Sequence, residues 1–97
     1  MMPRDELNEL TAYKTIGPFT ESTVPSGLLR EHNTKRGVWG LLEVESGEVR
    51  YVITEAGHED DLMLTPERSG VIAPEHKHHL VLVGAVQFTV TFYKASE

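Results

Sequence analysis

The feature that most restricts the fold of this chain is a repeated alternation of apolar and polar residues. In the last such run, Val86, Phe88, Val90 and Phe92 interleave with more polar neighbours, and residues 49–54 follow the same pattern. A period of two places successive side chains on opposite faces of a β-strand. Beyond the first ten residues, no segment keeps the 3.6-residue period of a helix. The pattern therefore predicts an all-β fold.

Turn residues divide the chain into short candidate strands. Ser46-Gly47 separates the runs 38–45 and 48–54, which predicts a tight hairpin turn. Many short strands with almost no helix predict an antiparallel sheet that closes to protect its edges. The shorter candidates are residues 12–16, 28–32, 62–64, 71–72 and 78–83, separated by Gly17-Pro18, residues 24–27, Ala56-Gly57 and Gly84-Ala85.

Length and composition exclude several classes of protein. The 97 residues predict a single domain, residues 1–97, with residues 1–10 as a loose N-terminal segment. A net charge of −6 argues against nucleic-acid and membrane-surface partners. The chain has no cysteine, which excludes a disulfide scaffold and a thiolate metal site. No signal peptide or membrane span is visible, so we expect a soluble cytoplasmic protein.

Three of the five histidines lie within residues 76–79, at the start of the apolar run 80–83. If this segment is extended, His76 and His78 share one face at a spacing of ~6.6 Å, close enough to share a metal ion. Leu80 continues that face, which indicates that it lines the interior. The alternative is a solvated histidine-rich loop beside Pro74. The cluster favours a metal site in the mouth of a barrel.

Two further histidines lie elsewhere in the sequence. His32 follows the apolar residues 27–29 and joins the predicted site only if folding brings it beside His78. Alone, such a residue is more often a half-buried strand histidine bonded to a carbonyl. His58 lies in an acidic segment, residues 57–61, which has oxygen ligands for a hard cation but not their usual spacing. We interpret it as a solvated hairpin tip.

Other residues carry weaker indications. Trp39 and Tyr51 could stack on a ligand, although packing in the core is the favoured interpretation. The pair Lys35-Arg36 could bind an oxyanion or form a solvated turn. No serine lies in a nucleophile elbow or triad context, and no acidic pair is placed for acid–base chemistry, so no catalytic residue is predicted.

Several motifs together resemble one known family. They are Ala-Tyr-Lys-Thr at 12–15, Val24-Pro25, the run from Leu29 to Gly40 with its His-Asn-Thr-Lys-x-Gly-x-Trp-Gly signature, Gly-Glu-Val-Arg-Tyr at 47–51, Pro74 followed by His78, and Val-Thr-Phe-Tyr at 90–93. In this order they resemble the TehB/YeaR-like family, which includes the N-terminal domain of the tellurite-resistance protein TehB. The resemblance covers about residues 10–94.

The resemblance implies a cupin-like β-barrel of the jelly-roll type. The family's recurring histidines fall on His32 and His78, which related cupins would use to hold a divalent transition metal such as zinc, iron or nickel. The His-x-His pair of the usual first cupin motif is absent around His32. His76 is the third ligand suggested by spacing, with Glu31, Asn33 and Glu75 as alternatives.

Three functions follow as hypotheses. The first is a metal-binding module that takes a small molecule or oxyanion and is linked to tellurite or related stress tolerance. The second is a cupin metalloenzyme, an oxygenase or isomerase. The third is a structural or oligomerising domain without metal. No glycine-rich cofactor loop is visible, so we do not expect methyl transfer from S-adenosylmethionine by this chain alone. Exposed sheet edges favour a homodimer.

Overall fold

The computed structural model describes residues 7–95, which form one five-stranded antiparallel sheet and include a 3-10 helix between the first two strands. Residues 1–6, which make up most of the predicted N-terminal segment, lie outside the described residues. Leu7 is buried, and the first strand begins at Leu10. The elements are β1 Leu10–Thr20, the 3-10 helix Ser26–Leu29, β2 Trp39–Ile53, β3 Asp60–Leu64, β4 Gly70–Ile72 and β5 His78–Ala95.

Two long strands, β2 and β5, form the centre of the sheet. They pair with each other along almost their whole length, from Trp39 opposite Tyr93 to Ile53 opposite His78. The other edge of β2 pairs first with β4 and then with β3, while β1 pairs with the second half of β5. This confirms the predicted small all-β, cupin-like antiparallel fold. Within residues 7–95, the end strands β1 and β3 do not pair with each other, so the sheet does not close into the predicted barrel.

The predicted hairpin at Ser46-Gly47 is wrong, because β2 runs through this dipeptide without reversing. The register with β5 shifts on either side of Ser46, so the pair forms a β-bulge. Gly47 has φ +81°, and a Cβ at this position would lie 2.2 Å from the carbonyl oxygen of Ala85. Gly84-Ala85, predicted as a separator, likewise lies inside β5. The two long strands therefore bend together where glycine permits close approach.

The alternation predicted the buried face correctly. Val49 and Tyr51 are almost completely buried, and Phe88 and Val90 meet them from β5 in the same core. Trp39 packs in a smaller cluster on the opposite face of the sheet. Trp39 and Tyr51 are therefore both packing residues, as the sequence analysis favours. The remaining buried members of the main core are Leu42, Val44, Ile53, Leu64, Ile72, Leu80 and Val86.

The predicted strand at 28–32 is also wrong. Ser26–Leu29 forms a 3-10 helix, with Pro25 in an extended conformation at its start. Only His32 of this segment makes a bridge to a strand. The helix brings Leu28 against the main core and leaves Leu29 exposed. No helix among residues 7–95 has the length and apolar character needed to cross a bilayer.

Candidate functional site

Backbone hydrogen bonds position the segment that carries His32. The amide of His32 donates to the carbonyl of His78 at 2.8 Å, and the amide of His78 donates back at 2.8 Å. The amide of Glu75 donates to the carbonyl of Thr34, also at 2.8 Å. The hydroxyl of Thr54 donates to the Glu31 carboxylate at 2.7 Å. The segment is therefore fixed on both sides of His32 against the start of β5.

The two histidine rings meet as a result. Their centroids lie 4.2 Å apart with an angle of 67° between the ring planes, so one ring edge faces the other ring. The centroid of the His78 ring also lies 5.4 Å from that of the Tyr51 ring, again edge to face. His32 is half-buried, whereas His78 is 2% exposed. The structure thus brings together the two histidines that the family resemblance singled out.

Both rings bind a backbone carbonyl through Nδ1. The distance is 2.8 Å from His32 Nδ1 to the carbonyl oxygen of Arg30, and 2.7 Å from His78 Nδ1 to that of His76. A carbonyl oxygen only accepts, so each Nδ1 must carry the proton. In a neutral ring of this kind, Nε2 has a free lone pair and can only accept.

His78 is held in the neutral form. Burial lowers its pKa to about 4, because the charged imidazolium would lose its hydration. The hydrogen bond to the His76 carbonyl opposes this shift, while the neighbouring histidines add to it. At neutral pH the Nε2 of His78 is therefore a hydrogen-bond acceptor.

The histidine pair forms part of the wall of a cavity of about 430 Å³. This size lies within the range of small-molecule sites. The cavity lies between β1, the 3-10 helix, β2, β4 and the two halves of β5. Most of its wall is apolar, formed by Ile16, Leu28, Val38, Leu42, Ile72, Leu80, Val90 and Phe92.

The polar part of the wall comes mainly from one continuous run. His32, Asn33, Thr34 and Lys35 all line the cavity, and β1 adds Lys14 beside Tyr13. None of the described lining residues is acidic, although the whole chain has a net charge of −6. The cavity therefore combines an apolar interior with a polar wall on which every formal charge is positive.

The other predicted site residues lie elsewhere. The ring of His76 stacks on the ring of His58 with centroids 4.2 Å apart, and neither residue lines the cavity. The strand begins only at His78, so the alternation does not extend back to His76. Glu75 is exposed with φ +64°, in the turn before β5. Of the three alternative ligands, only Asn33 lines the cavity.

The predicted divalent metal cofactor is therefore wrong. Protein sites for transition metals use three or more side-chain ligands. Within residues 7–95, no group of three or more histidine, cysteine, aspartate or glutamate side chains could hold a metal ion. His76 turns toward His58, and Glu31 accepts from Thr54, so the histidine pair has no third ligand of this kind among the described residues.

Two features of the site escaped the sequence interpretation. Lys14 and Leu28 line the cavity, although the sequence analysis assigns neither a role in a site. The alternation of β1 offered little guidance, because most of that strand is exposed and its register shifts twice against β5. The sequence favours a core position for Tyr51 but does not reveal that its hydroxyl is buried without a hydrogen-bond partner in the described part of the chain.

Comparison with known proteins gives a consistent result. Residues 14–90 match the family model described as a TehB-like domain. Proteins named probable S-adenosyl-L-methionine-dependent methyltransferase TehB, from two strains of Haemophilus influenzae, are each 33% identical over 94 residues. These names point to S-adenosyl-L-methionine, and not to a metal, in those proteins. The match takes in 93% of this chain, which spans about a third of the length of these curated relatives.

Solved structures agree with the sequence matches. The crystal structure of TehB from Haemophilus influenzae superposes with a TM-score of 0.81 at 30% identity, covering 91% of this chain and 32% of that one. A protein from Escherichia coli strain K12 superposes with a TM-score of 0.84, covering 93% of this chain and 95% of that one. At 22% identity the second likeness shows the fold alone. The chain belongs to the TehB-like family.

Proposed function

We propose that this chain is a binding module that holds a small molecule in the cavity beside His32 and His78. The observation that carries the proposal is the cavity of about 430 Å³, which is apolar inside and bordered by the histidine pair. Binding sites for small molecules combine such apolar walls with a few fixed polar groups. Each methylene group that leaves water contributes about 0.8 kcal/mol, so the apolar wall favours an organic ligand.

The histidines supply the fixed polar groups. Each ring is anchored through Nδ1, so its orientation does not have to be ordered when a ligand binds. Groups ordered in advance lose little conformational entropy on binding. The reciprocal amide bonds between His32 and His78 support the same rigidity. This arrangement suits recognition of one polar group on the ligand.

A second candidate ligand is an inorganic oxyanion such as tellurite. The resemblance to a family linked to tellurite resistance suggests it, and two lysines on the cavity wall favour it. The apolar remainder of the wall opposes it, because a small hydrated anion gains nothing from apolar contact. Saturable chemical-shift changes at Lys14 and Lys35 on addition of tellurite would favour this candidate over an organic ligand.

The curated relatives suggest a setting for the module. They are named methyltransferases, and this chain spans about a third of their length. We propose that the module supplies small-molecule binding in proteins of this type. The methyl-transfer activity in their names belongs to those longer proteins.

The test uses octanoate as the probe and two tryptophan variants. Leu28 lines the cavity from the 3-10 helix, whereas its neighbour Leu29 is exposed and does not. We expect Leu28→Trp to fill the cavity and abolish binding, while Leu29→Trp binds as the wild type does. Amide chemical shifts in a titration measure both. Binding that survives in Leu28→Trp would overturn the proposal.

A further inference from the structure

We propose that the ligand of this cavity is an organic acid with an apolar tail and a hydroxyl group beside its carboxylate. The inference rests on the proposed function and identifies the chemical class of the ligand. Three features of the wall carry it: the lysines, the proton positions on the histidines, and the separation of polar from apolar residues.

The lysines indicate that the ligand carries a negative charge. Lys14 and Lys35 approach the cavity from β1 and from the segment after His32. Within residues 7–95, neither ammonium group forms an ion pair, and no lining residue carries a negative charge. An anion would complement both lysines, whereas a cation would meet two like charges with no carboxylate to offset them.

The histidines indicate that the ligand also carries a hydrogen-bond donor. Because Nδ1 of each ring donates to a backbone carbonyl, Nε2 of the neutral ring presents a lone pair. A carboxylate oxygen also presents lone pairs and cannot bond to it. A hydroxyl group can donate to Nε2, so an acid with a hydroxyl group satisfies both the lysines and the histidine pair.

The arrangement of the wall determines the shape of the ligand. His32 and Lys35 belong to the same short run, so the acceptor and one positive charge border the same side of the cavity. Other parts of the wall come from apolar residues of β2, β4 and β5, among them Leu42, Ile72 and Val90. A 2-hydroxy acid has its two polar groups on neighbouring carbons at one end and its apolar chain at the other, which matches this division.

The experiment compares four probes with the same carbon chain: 2-hydroxyoctanoate, octanoate, 1-octanol and octylamine. Calorimetric or chemical-shift titrations give each dissociation constant. We expect octanoate to bind about tenfold more tightly than octanol, because two partly exposed ion pairs form. We expect the hydroxy acid to bind about three- to tenfold more tightly than octanoate, through one net hydrogen bond. Octylamine should bind most weakly.

Lysine variants provide the matched control. Lys14→Gln combined with Lys35→Gln should remove the preference for octanoate over octanol, measured as the ratio of the two dissociation constants. Lys77→Gln should not change this preference, because Lys77 is exposed and does not line the cavity.

Octanol or octylamine binding as tightly as octanoate would overturn the assignment of an anion while the binding module stands. Octanoate binding as tightly as the hydroxy acid would overturn the assigned hydroxyl. Absence of binding by all four probes would overturn both proposals.

Discussion

At His78, burial directly determines the protonation state of a side chain that lines the cavity. Its ring is almost completely buried and contacts the rings of His32 and Tyr51, and its Nδ1 donates to the His76 carbonyl. Burial lowers its pKa to about 4, so the ring stays neutral well below neutral pH. A neutral ring with a fixed proton position can recognise a donor without any change in protonation.

The lowered pKa predicts a pH dependence of stability. The unfolded imidazole has a pKa near 6.5, so between pH 6.5 and pH 4 the unfolded state binds more protons. The free energy of unfolding should therefore fall as the pH is lowered through this window, by up to about 3 kcal/mol. Urea unfolding at a series of pH values measures it.

Two variants isolate the contribution of His78. His78→Asn keeps a donor for the His76 carbonyl but cannot titrate, so this part of the pH dependence should disappear. His58→Asn alters an exposed histidine and should retain it. Equal slopes in the wild type and in His78→Asn between pH 6.5 and 4 would show that His78 is not the group responsible.

The buried hydroxyl of Tyr51 leads to a prediction about stability. It has no hydrogen-bond partner within the described residues, and burial raises the pKa of the phenol, so it remains protonated. An unpartnered buried polar group costs stability. Tyr51→Phe should therefore leave the free energy of unfolding unchanged or raise it by about 1 kcal/mol. A loss of more than about 2 kcal/mol would contradict this and indicate a partner for the hydroxyl.

At the scale of elements, the bulge at Ser46-Gly47 shows where local pattern and long-range pairing diverge. The dipeptide with alternating runs on both sides is typical of a hairpin. The chain instead continues, because β5 carries Gly84-Ala85 opposite the bulge and can bend with it. The matching pair lies far along the chain, so no local reading of residues 46–47 could reveal it.

The bulge predicts that adding a methyl group at Gly47 lowers the free energy of unfolding. In Gly47→Ala, the positive φ would be strained and the new Cβ would meet the Ala85 carbonyl at 2.2 Å. We expect the free energy of unfolding to fall by about 3 kcal/mol or more, measured by urea unfolding. Gly57→Ala is the matched control, because Gly57 has φ +84° but nothing within 4 Å, so only the backbone term of about 1 kcal/mol applies. Equal losses in the two variants would contradict close packing at the bulge.

The elements predicted best were those with strict alternation. Residues 49–53 and 86–93 lie in β2 and β5 with the expected faces buried. Residues 28–32 failed because an apolar run without alternation does not distinguish a short strand from a helical turn. The parity argument for His76 failed for a related reason, since the strand starts two residues later.

At the scale of the whole molecule, the sequence could name the site histidines but not the site. The family resemblance singled out His32 and His78, and only the packing of segment 30–34 against β5 shows that their rings meet. The cavity depends on residues from β1 to β5, few of which are neighbours in sequence. The lysines and apolar residues of its wall are therefore brought together only by the strand topology. An organic ligand is proposed here in place of the predicted metal.

The sheet edge leads us to propose a homodimer. β1 pairs with β5 on one side, and no strand among residues 7–95 pairs with its other side. Unpaired edges favour association. Light scattering after size-exclusion chromatography should give about twice the monomer mass of 10.9 kDa, decreasing only on strong dilution. A monomer mass at all concentrations would contradict the proposal.

The most direct test of the central claim is a crystal structure with 8-bromooctanoate, located by the anomalous signal of its bromine. We expect one strong peak inside the cavity, among the apolar side chains of Leu42, Ile72 and Val90, with the carboxylate toward Lys14 and Lys35. A cavity without bromine at saturating ligand, or bromine only against exposed residues such as Leu29 and Val83, would contradict it.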